Sequence, residues 1–125
     1  MITPKESVDA LIEHFWKYGY LTLSRKYGTY LPAPQKVGNY EIDAVAKYKQ
    51  KLALGISLTE EDLNNPESIS KISFLASKDA NNPGKKVTLF VGVPAESVAK
   101  AKIIISGFEE TVKKNIKVVP LNRGN

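Results

Sequence analysis

The sequence predicts a single α/β domain in which helices cover both faces of a mixed five-stranded sheet. Apolar residues recur at helical spacing in three separate segments. Residues 40–58 instead show the pattern of two strands joined by a tight polar turn. The apolar run from Val87 to Val93 is typical of a strand that is covered on both faces. Together these observations predict the order α-β-β-β-α-β-α-β for one domain over residues 1–125.

The composition is that of a globular domain, and it excludes several kinds of site. Hydrophobic residues make up 42% of the chain and charged residues 25%, so a core can form without metal ions or disulfide bonds. The absence of cysteine excludes disulfide bonds and thiolate zinc sites. The N-terminus does not resemble a signal peptide, and no apolar run approaches the about 18–20 residues of a membrane span. We therefore expect a cytoplasmic protein with no membrane partner.

The net charge favours an anionic partner. It is +5, from 18 lysine and arginine residues against 13 aspartate and glutamate residues. A basic balance of this kind is typical of nucleic-acid-binding domains. The alternative is a lysine-rich surface that binds nothing in particular.

The first element is predicted to be a helix that begins at a capping box. Thr3 and Glu6 form the box, and Pro4 occupies the first helical position. Gly19 is expected to end the helix. The only histidine, His14, lies off the apolar stripe and is interpreted as a surface residue. The stripe itself contains Val8, Leu11, Ile12 and Phe15.

The next segment, residues 20–27, is predicted to be a strand that leads into a loop rich in cations and tyrosines. Two cations beside two tyrosines can follow a phosphate backbone and stack on bases. The alternative is an ordinary loop whose tyrosines pack on the sheet. With two further lysines, the candidate nucleic-acid-binding residues are Arg25, Lys26, Tyr27, Tyr30, Lys36 and Lys47.

Residues 40–58 are predicted to form a hairpin with its turn near Lys49-Gln50. The first strand carries Glu41 and Asp43, which are two residues apart and therefore on one face. The second strand carries no charged side chain from Leu52 to Leu58. Acidic side chains in an otherwise apolar strand indicate either a functional site or an ion pair with a nearby lysine or arginine.

The second half of the chain is predicted to alternate helices and strands. Asn65-Pro66 begins a helix whose buried face contains Ile69, Ile72, Leu75 and Ala76. After a turn at residues 81–84 and the apolar strand, Pro94 begins a third helix through about Lys113, with Gly107 as a weak point. Residues 116–121 form the last strand, and the tail 122–125 is expected to be frayed.

This order, with Tyr40-Glu41-Ile42-Asp43-Ala44-Val45-Ala46 on the second strand, resembles the restriction-endonuclease-like fold over about residues 3–94. More narrowly, it resembles the small Holliday-junction-resolvase-like and uncharacterised endonuclease-like members of the PD-(D/E)XK superfamily. The resemblance implies a three-layer sandwich. It also implies that Asp43 is the metal-binding aspartate, with Glu41 the acid two residues before it. Both are thus candidate catalytic residues and candidate Mg²⁺ ligands.

The chain departs from that family where the next strand should carry E-x-K. A two-residue turn places the two motif positions at Ile56 and Leu58, and a three-residue turn places them at Gly55 and Ser57. Neither register supplies a carboxylate or a lysine. Cleavage on this scaffold uses Mg²⁺ held by carboxylates and a lysine that orients water, so the departure indicates a degraded centre.

Three functions are consistent with the sequence. The first is a nucleic-acid-binding domain of restriction-endonuclease-like fold with a degraded nuclease centre. The second is an active Mg²⁺-dependent endonuclease whose catalytic residues have migrated, for instance to Glu60, Glu61 or Asp62. The third is a non-enzymatic protein-interaction or homodimerisation domain, because the run Ile103–Ile105 makes the third helix apolar beyond one core face.

Overall fold

The computed structural model describes residues 2–77 and 86–121, with the backbone but not the side chain of Lys86. The predicted turn at residues 81–84 and the predicted frayed tail 122–125 lie outside these ranges. The helices are α1 (Pro4–Lys17), α2 (Pro66–Ala76), α3 (Val98–Ser106) and α4 (Glu110–Lys113), with short 3-10 turns at Asp62–Asn64 and Ala95–Ser97. The strands are β1 (Leu21–Arg25), β2 (Ala44–Tyr48), β3 (Lys51–Ser57), β4 (Lys86–Val93) and β5 (Ile116–Pro120).

The strands form one mixed sheet in the order β1-β2-β3-β4-β5. The first three strands are an antiparallel meander, and β4 and β5 join in parallel after helical crossovers. The predicted α/β class, the five-stranded mixed sheet and the order of the strands along the chain are confirmed. The two-residue turn between β2 and β3 can join only antiparallel neighbours, whereas the helical connections before β4 and β5 allow parallel neighbours.

Helices pack on both faces of the sheet. The predicted capping box at Thr3 begins α1, whose buried stripe contacts the small residues Ala44, Ala46 and Ala53. A β-carbon on Gly55 would lie 2.7 Å from Leu11 Cδ2, so the helix can approach the sheet only over residues without bulk. On the other face, α2 and α3 cover a core that contains Ile72, Leu75, Ala101 and Ile105 together with the apolar residues of β3 and β4.

Two predicted boundaries are wrong. The second strand begins at Ala44 rather than Tyr40, because residues 37–40 are folded into a local bridge between Val37 and Tyr40. Glu41 and Asp43 therefore precede the strand. The predicted third helix is also broken: α3 ends at Ser106 with Gly107 as its cap. Phe108, which packs against the core, separates it from α4.

His14 is not a free surface residue. Its Nε2–H donates a hydrogen bond to the carbonyl oxygen of Pro120 at 2.8 Å, since a carbonyl can only accept. The side chain thus ties α1 to the end of β5. None of the helices within the described residues is long and apolar enough to cross a membrane.

Candidate functional site

The sequence-predicted acids lie at one end of the sheet. The carboxyl ends of β1 and β3 meet the beginning of β2 there, because β2 runs antiparallel to both neighbours. In open α/β sheets, ligands bind most often outside the carboxyl ends of the strands. Lys26, Asp43 and Ser57 are brought together at this end.

Lys26 bridges the two acids. Its Nζ lies 2.8 Å from Glu41 Oε1 and 3.6 Å from Asp43 Oδ1. The hydrogen bond to Glu41 is the main cause that raises the pKa of Lys26 above its usual value. The same hydrogen bond lowers the pKa of the exposed Glu41 carboxyl. Both acids therefore face one ammonium group, as expected for residues on one face, although neither belongs to the regular strand.

The Asp43 carboxylate is held by β3. Its Oδ2 accepts hydrogen bonds from the Ser57 backbone N–H at 2.6 Å and from the Ser57 Oγ–H at 3.1 Å. The Asp43 N–H donates to Gly55 O at 2.8 Å, although Gly55 already faces Ala44 in the ladder. Asp43 and Ala44 thus both lie opposite Gly55, as in a β-bulge.

The hairpin has the two-residue turn at Lys49-Gln50, since Tyr48 is paired with Lys51. Without the bulge, this register would put Ile56 and Leu58, both buried in the apolar core, at the E-x-K positions that the resemblance implies. The bulge shifts the pairing by one at Asp43, so that Gly55 and Ser57 lie beside it instead. Neither pair of residues holds a carboxylate or a lysine. The irregular backbone before β2 turns the Asp43 carboxylate to Ser57 instead.

The sequence reasoning missed Lys71, which lies on α2 near the acids. Burial lowers the pKa of Lys71, and the negative charge of Asp43 partly offsets this effect. Within residues 2–77 and 86–121, the only ammonium group that forms an ion pair with Glu41 or Asp43 is that of Lys26. In the sequence, the one sign that Lys71 lies close to the core is its position directly before the buried Ile72, at the edge of the apolar face of α2.

Two of the three proposed replacement acids have structural partners. Asp62 and Thr59 bond reciprocally, since each side chain accepts from the other residue's backbone N–H at 2.9–3.1 Å. Glu60 accepts a 2.7 Å hydrogen bond from Ser97 Oγ–H, and Ser97 is fully buried. Glu61 is exposed. Asp62 and Glu60 thus help to hold the segment after β3.

The described residues do not by themselves fit a resident Mg²⁺ ion. No group of three or more histidine, cysteine, aspartate or glutamate residues among them is arranged to hold a metal ion. The two acids that do lie together, Glu41 and Asp43, are already bridged by the Lys26 ammonium. The assignment of Mg²⁺ to this pair stays a prediction.

The cation-and-tyrosine loop lies beside this cluster and frames a hollow of about 260 Å³. Arg25 is tied into the fold, since its Nη2–H donates to Asp9 Oδ1 at 2.6 Å and its Nε–H to Lys26 O at 3.1 Å. Tyr30 is 95% exposed and Tyr27 is 54% exposed. The lining residues are Lys5, Arg25, Tyr27, Gly28, Thr29, Tyr30 and Leu31.

The two remaining candidate lysines lie at different ends of the molecule. Lys36 is exposed and is close enough to Glu41 for its charge to contribute to lowering the pKa of that carboxyl. Lys47 lies near the hairpin turn, paired with Leu21 at the start of β1. The structure therefore brings five of the six candidate residues to the acid end of the sheet and leaves Lys47 at the other.

No protein-family model matches the chain. Neither a curated protein nor a solved structure is significantly similar to it. What the site can do chemically therefore follows from its own residues. It offers neutralised acids, a half-buried lysine and exposed aromatic rings next to cations.

Proposed function

We propose that this protein is a nucleic-acid-binding domain of restriction-endonuclease-like fold that lacks an intact cleavage centre. The helix before a three-stranded antiparallel meander, followed by parallel strands reached through helices, supports that fold. The observation that carries the function is the hollow in which the exposed Tyr27 and Tyr30 stand beside Lys5 and Arg25. Both cations pair with the single carboxylate of Asp9, which leaves one net positive charge beside the rings. Rings and cations in this arrangement suit stacked bases and their phosphates.

The backbone of Tyr27 strengthens this proposal. Its φ is +60°, in the left-handed region that a bulky residue seldom adopts. An exposed ring contributes little to the core, so folding alone gives no reason to keep tyrosine at a costly position. Residues in such conformations are concentrated at functional sites.

The electrostatics of the acid end are compatible with a phosphate backbone. Glu41 and Asp43 would repel phosphates if they were free, but Lys26 neutralises part of their charge. Lys71 and Lys36 add positive charge beside them. The end of β3 supplies neither the carboxylate nor the lysine of the E-x-K motif, and the nearby Lys26 ammonium is held by Glu41, which argues against water activation and cleavage at this end.

The test is fluorescence anisotropy with a labelled single-stranded oligonucleotide at low and physiological salt. Tyr30→Ala should weaken binding by about five-fold to more than a hundred-fold, because stacking contributes about 1–3 kcal/mol per base. Tyr30→Phe keeps the ring and should bind like the wild type. The salt dependence should be unchanged in both variants, since neither removes a charge.

Binding that is weak, independent of salt and equal in Tyr30→Ala would refute the proposal. Cleavage of DNA in Mg²⁺ that disappears in Asp43→Asn would replace it with the endonuclease alternative. One observation supports the protein-interaction alternative: Ile103 on α3 is 72% exposed. Concentration-dependent self-association in light scattering, lost in Ile103→Ser, together with no oligonucleotide binding, would favour that alternative.

A further inference from the structure

A second basic and aromatic surface lies at the hairpin end of the sheet, on the face that α1 covers. It is called the lysine–tyrosine surface here and consists of Lys17, Tyr18, Tyr48, Lys49, Lys51 and Lys117. Of the binding residues predicted from the sequence, Lys47 lies at this end as well, but none of these six residues is among them. The two ends are separated by the seven residues of β3, or about 20 Å at about 3.3 Å per residue.

Ring contacts hold the two tyrosines in place. The Tyr18 ring lies edge-on to Phe90 with a centroid distance of 5.6 Å. The Tyr48 ring lies 6.1 Å from Tyr20, which itself contacts Phe90 at 5.8 Å. Phe90 is fully buried, so the rings stand on a rigid base. Tyr18 nevertheless stays 49% exposed and Tyr48 39% exposed.

Ammonium groups lie against both tyrosines. Lys117 Nζ is 4.5 Å from the centre of the Tyr18 ring, and Lys49 Nζ is 5.4 Å from the centre of the Tyr48 ring. Both distances are within the range of a cation–π contact. Lys51 is the cross-strand partner of Tyr48. Lys17 lies next to Tyr18 at the end of α1.

The lysines of this surface are not neutralised by carboxylates. In the described part of the chain, the ion pairs of lysine and arginine involve Lys5, Arg25, Lys26 and Lys113. None involves a member of the lysine–tyrosine surface. At the acid end Lys5, Arg25 and Lys26 are paired with acids, whereas the lysines of the lysine–tyrosine surface have no carboxylate partner among the described residues.

The turn residue Lys49 has a second unusual property. Its φ is +55°, and the first position of a two-residue hairpin turn with φ > 0 usually holds glycine, asparagine or aspartate. Within the described residues, Tyr27 and Lys49 are the two non-glycine residues with positive φ. One lies in the proposed binding loop, and the other lies in the lysine–tyrosine surface.

We propose that the lysine–tyrosine surface binds the phosphate backbone and bases of a single nucleic-acid strand, as a second contact beyond the tyrosine loop. This inference rests on the proposed function, because it assumes the same class of ligand. Unpaired ammonium groups match phosphates, and rigid exposed rings match unpaired bases. An anionic lipid surface fits less well, because insertion needs apolar side chains that reach into the acyl boundary, and these rings are anchored to the core.

The test compares three variants with the wild type by oligonucleotide anisotropy across a salt series. The variant is Lys49→Gln with Lys51→Gln, and the control is Lys102→Gln with Lys114→Gln, which changes net charge equally at exposed sites elsewhere. The loop variant Tyr27→Ala with Tyr30→Ala tests the proposed function separately. We expect the hairpin variant to bind several-fold more weakly, with a log–log salt slope shallower by about 1.4, since each single-strand phosphate contact contributes about 0.7. The control should retain the wild-type slope.

The outcomes separate the two ideas. No oligonucleotide binding by the wild type would overturn both. A loss in the loop variant, with the hairpin variant equal to its control, would overturn this inference alone. A loss in the hairpin variant with an unchanged loop variant would support the inference and remove the loop from the proposed function.

Binding to phosphatidylserine vesicles that is lost in the hairpin variant, with oligonucleotide binding intact, would assign the surface to lipid. If the double variant does not fold, Lys117→Gln, which removes the ammonium beside the Tyr18 ring, is compared with Lys102→Gln, and the expected change in slope is about 0.7.

Discussion

At the scale of single residues, Lys26 determines how the charges of Glu41 and Asp43 are balanced. Its ammonium reaches Glu41 and Asp43 at 2.8 and 3.6 Å, so two carboxylates that would repel each other share one positive charge. Ser57 completes the arrangement by donating two hydrogen bonds to Asp43. A partly buried carboxylate with these partners is stable without a metal ion.

The ion pair gives the stability of the protein a defined pH dependence. Lys26 holds the pKa of Glu41 below its usual value of 4.5, so the carboxylate favours folding above that pH and loses this contribution as pH falls through the lower pKa of the folded state. In urea unfolding at pH 3 to 7, Lys26→Met should therefore flatten the acid limb of the stability profile. Lys36→Met is the control, because its charge is a smaller cause of the same pKa shift and should change the profile less. Equal slopes in Lys26→Met and wild type would contradict the assignment.

At the scale of elements, the β2–β3 hairpin sets the register on which the site depends. A two-residue turn at Lys49-Gln50 pairs Tyr48 with Lys51, and every later pair follows from it. That register holds from the turn to Ala44, which is paired with Gly55, and the irregular backbone at Asp43 then places Ser57 beside the acid. The same turn presents Lys49 in a conformation that costs about 1–2 kcal/mol for a residue with a β-carbon.

We expect Lys49→Gly to stabilise the protein by about 0.5–1 kcal/mol. Glycine removes the backbone strain of about 1–2 kcal/mol, but its greater freedom in the unfolded chain opposes folding by about 0.5–1 kcal/mol. The melting temperature should rise by about 2–5 °C. Gln50→Gly is the matched control: the φ of Gln50 is not positive, so the change should destabilise. A stabilised Lys49→Gly that binds oligonucleotides more weakly would show that the lysine is kept for binding rather than for folding. A destabilised Lys49→Gly would refute the strain argument.

At the scale of the whole molecule, charge is distributed unevenly between the two ends of the sheet. The carboxyl end contains Glu41, Asp43 and the one lysine that pairs with both, whereas no member of the lysine–tyrosine surface forms an ion pair with the residues that the structure describes. A strand that contacts both the tyrosine loop and the lysine–tyrosine surface must span about 20 Å.

This separation predicts a length dependence of binding. A series of single strands from about 2 to about 20 nucleotides should gain affinity once both surfaces can be reached, at no more than about six nucleotides, since the duplex spacing of about 3.4 Å per nucleotide is a lower limit for an extended single strand. Beyond that point the gain should level off, because the second contact has become intramolecular. The step should be absent in the Lys49→Gln, Lys51→Gln variant and present in the Lys102→Gln, Lys114→Gln control. A smooth rise with length in both variants would indicate sliding, non-specific contact.

Much of the fold followed from local sequence signals. The capping box at Thr3, the apolar stripe of α1 and the Asn65-Pro66 start of α2 were all readable, because each depends on residues a few positions apart. The broken third helix was only partly readable. Gly107 signalled a weak point, but the inward turn of Phe108 depends on the core it enters.

The sequence alone determined the order of the strands along the chain, the presence of a hairpin with its turn near Lys49-Gln50 and the lack of a carboxylate and a lysine in either possible register, whereas the register itself came from the structure. Only the tertiary structure decided that the acids precede the strand, that Lys26 bridges them, and that Lys71 and the lysine–tyrosine surface lie where they do. The physical reason is how far apart along the chain the interacting residues lie. Turns and amphipathic faces are set by neighbours in the chain, whereas a side chain's charge partner is set by whichever distant segment the packed core brings beside it.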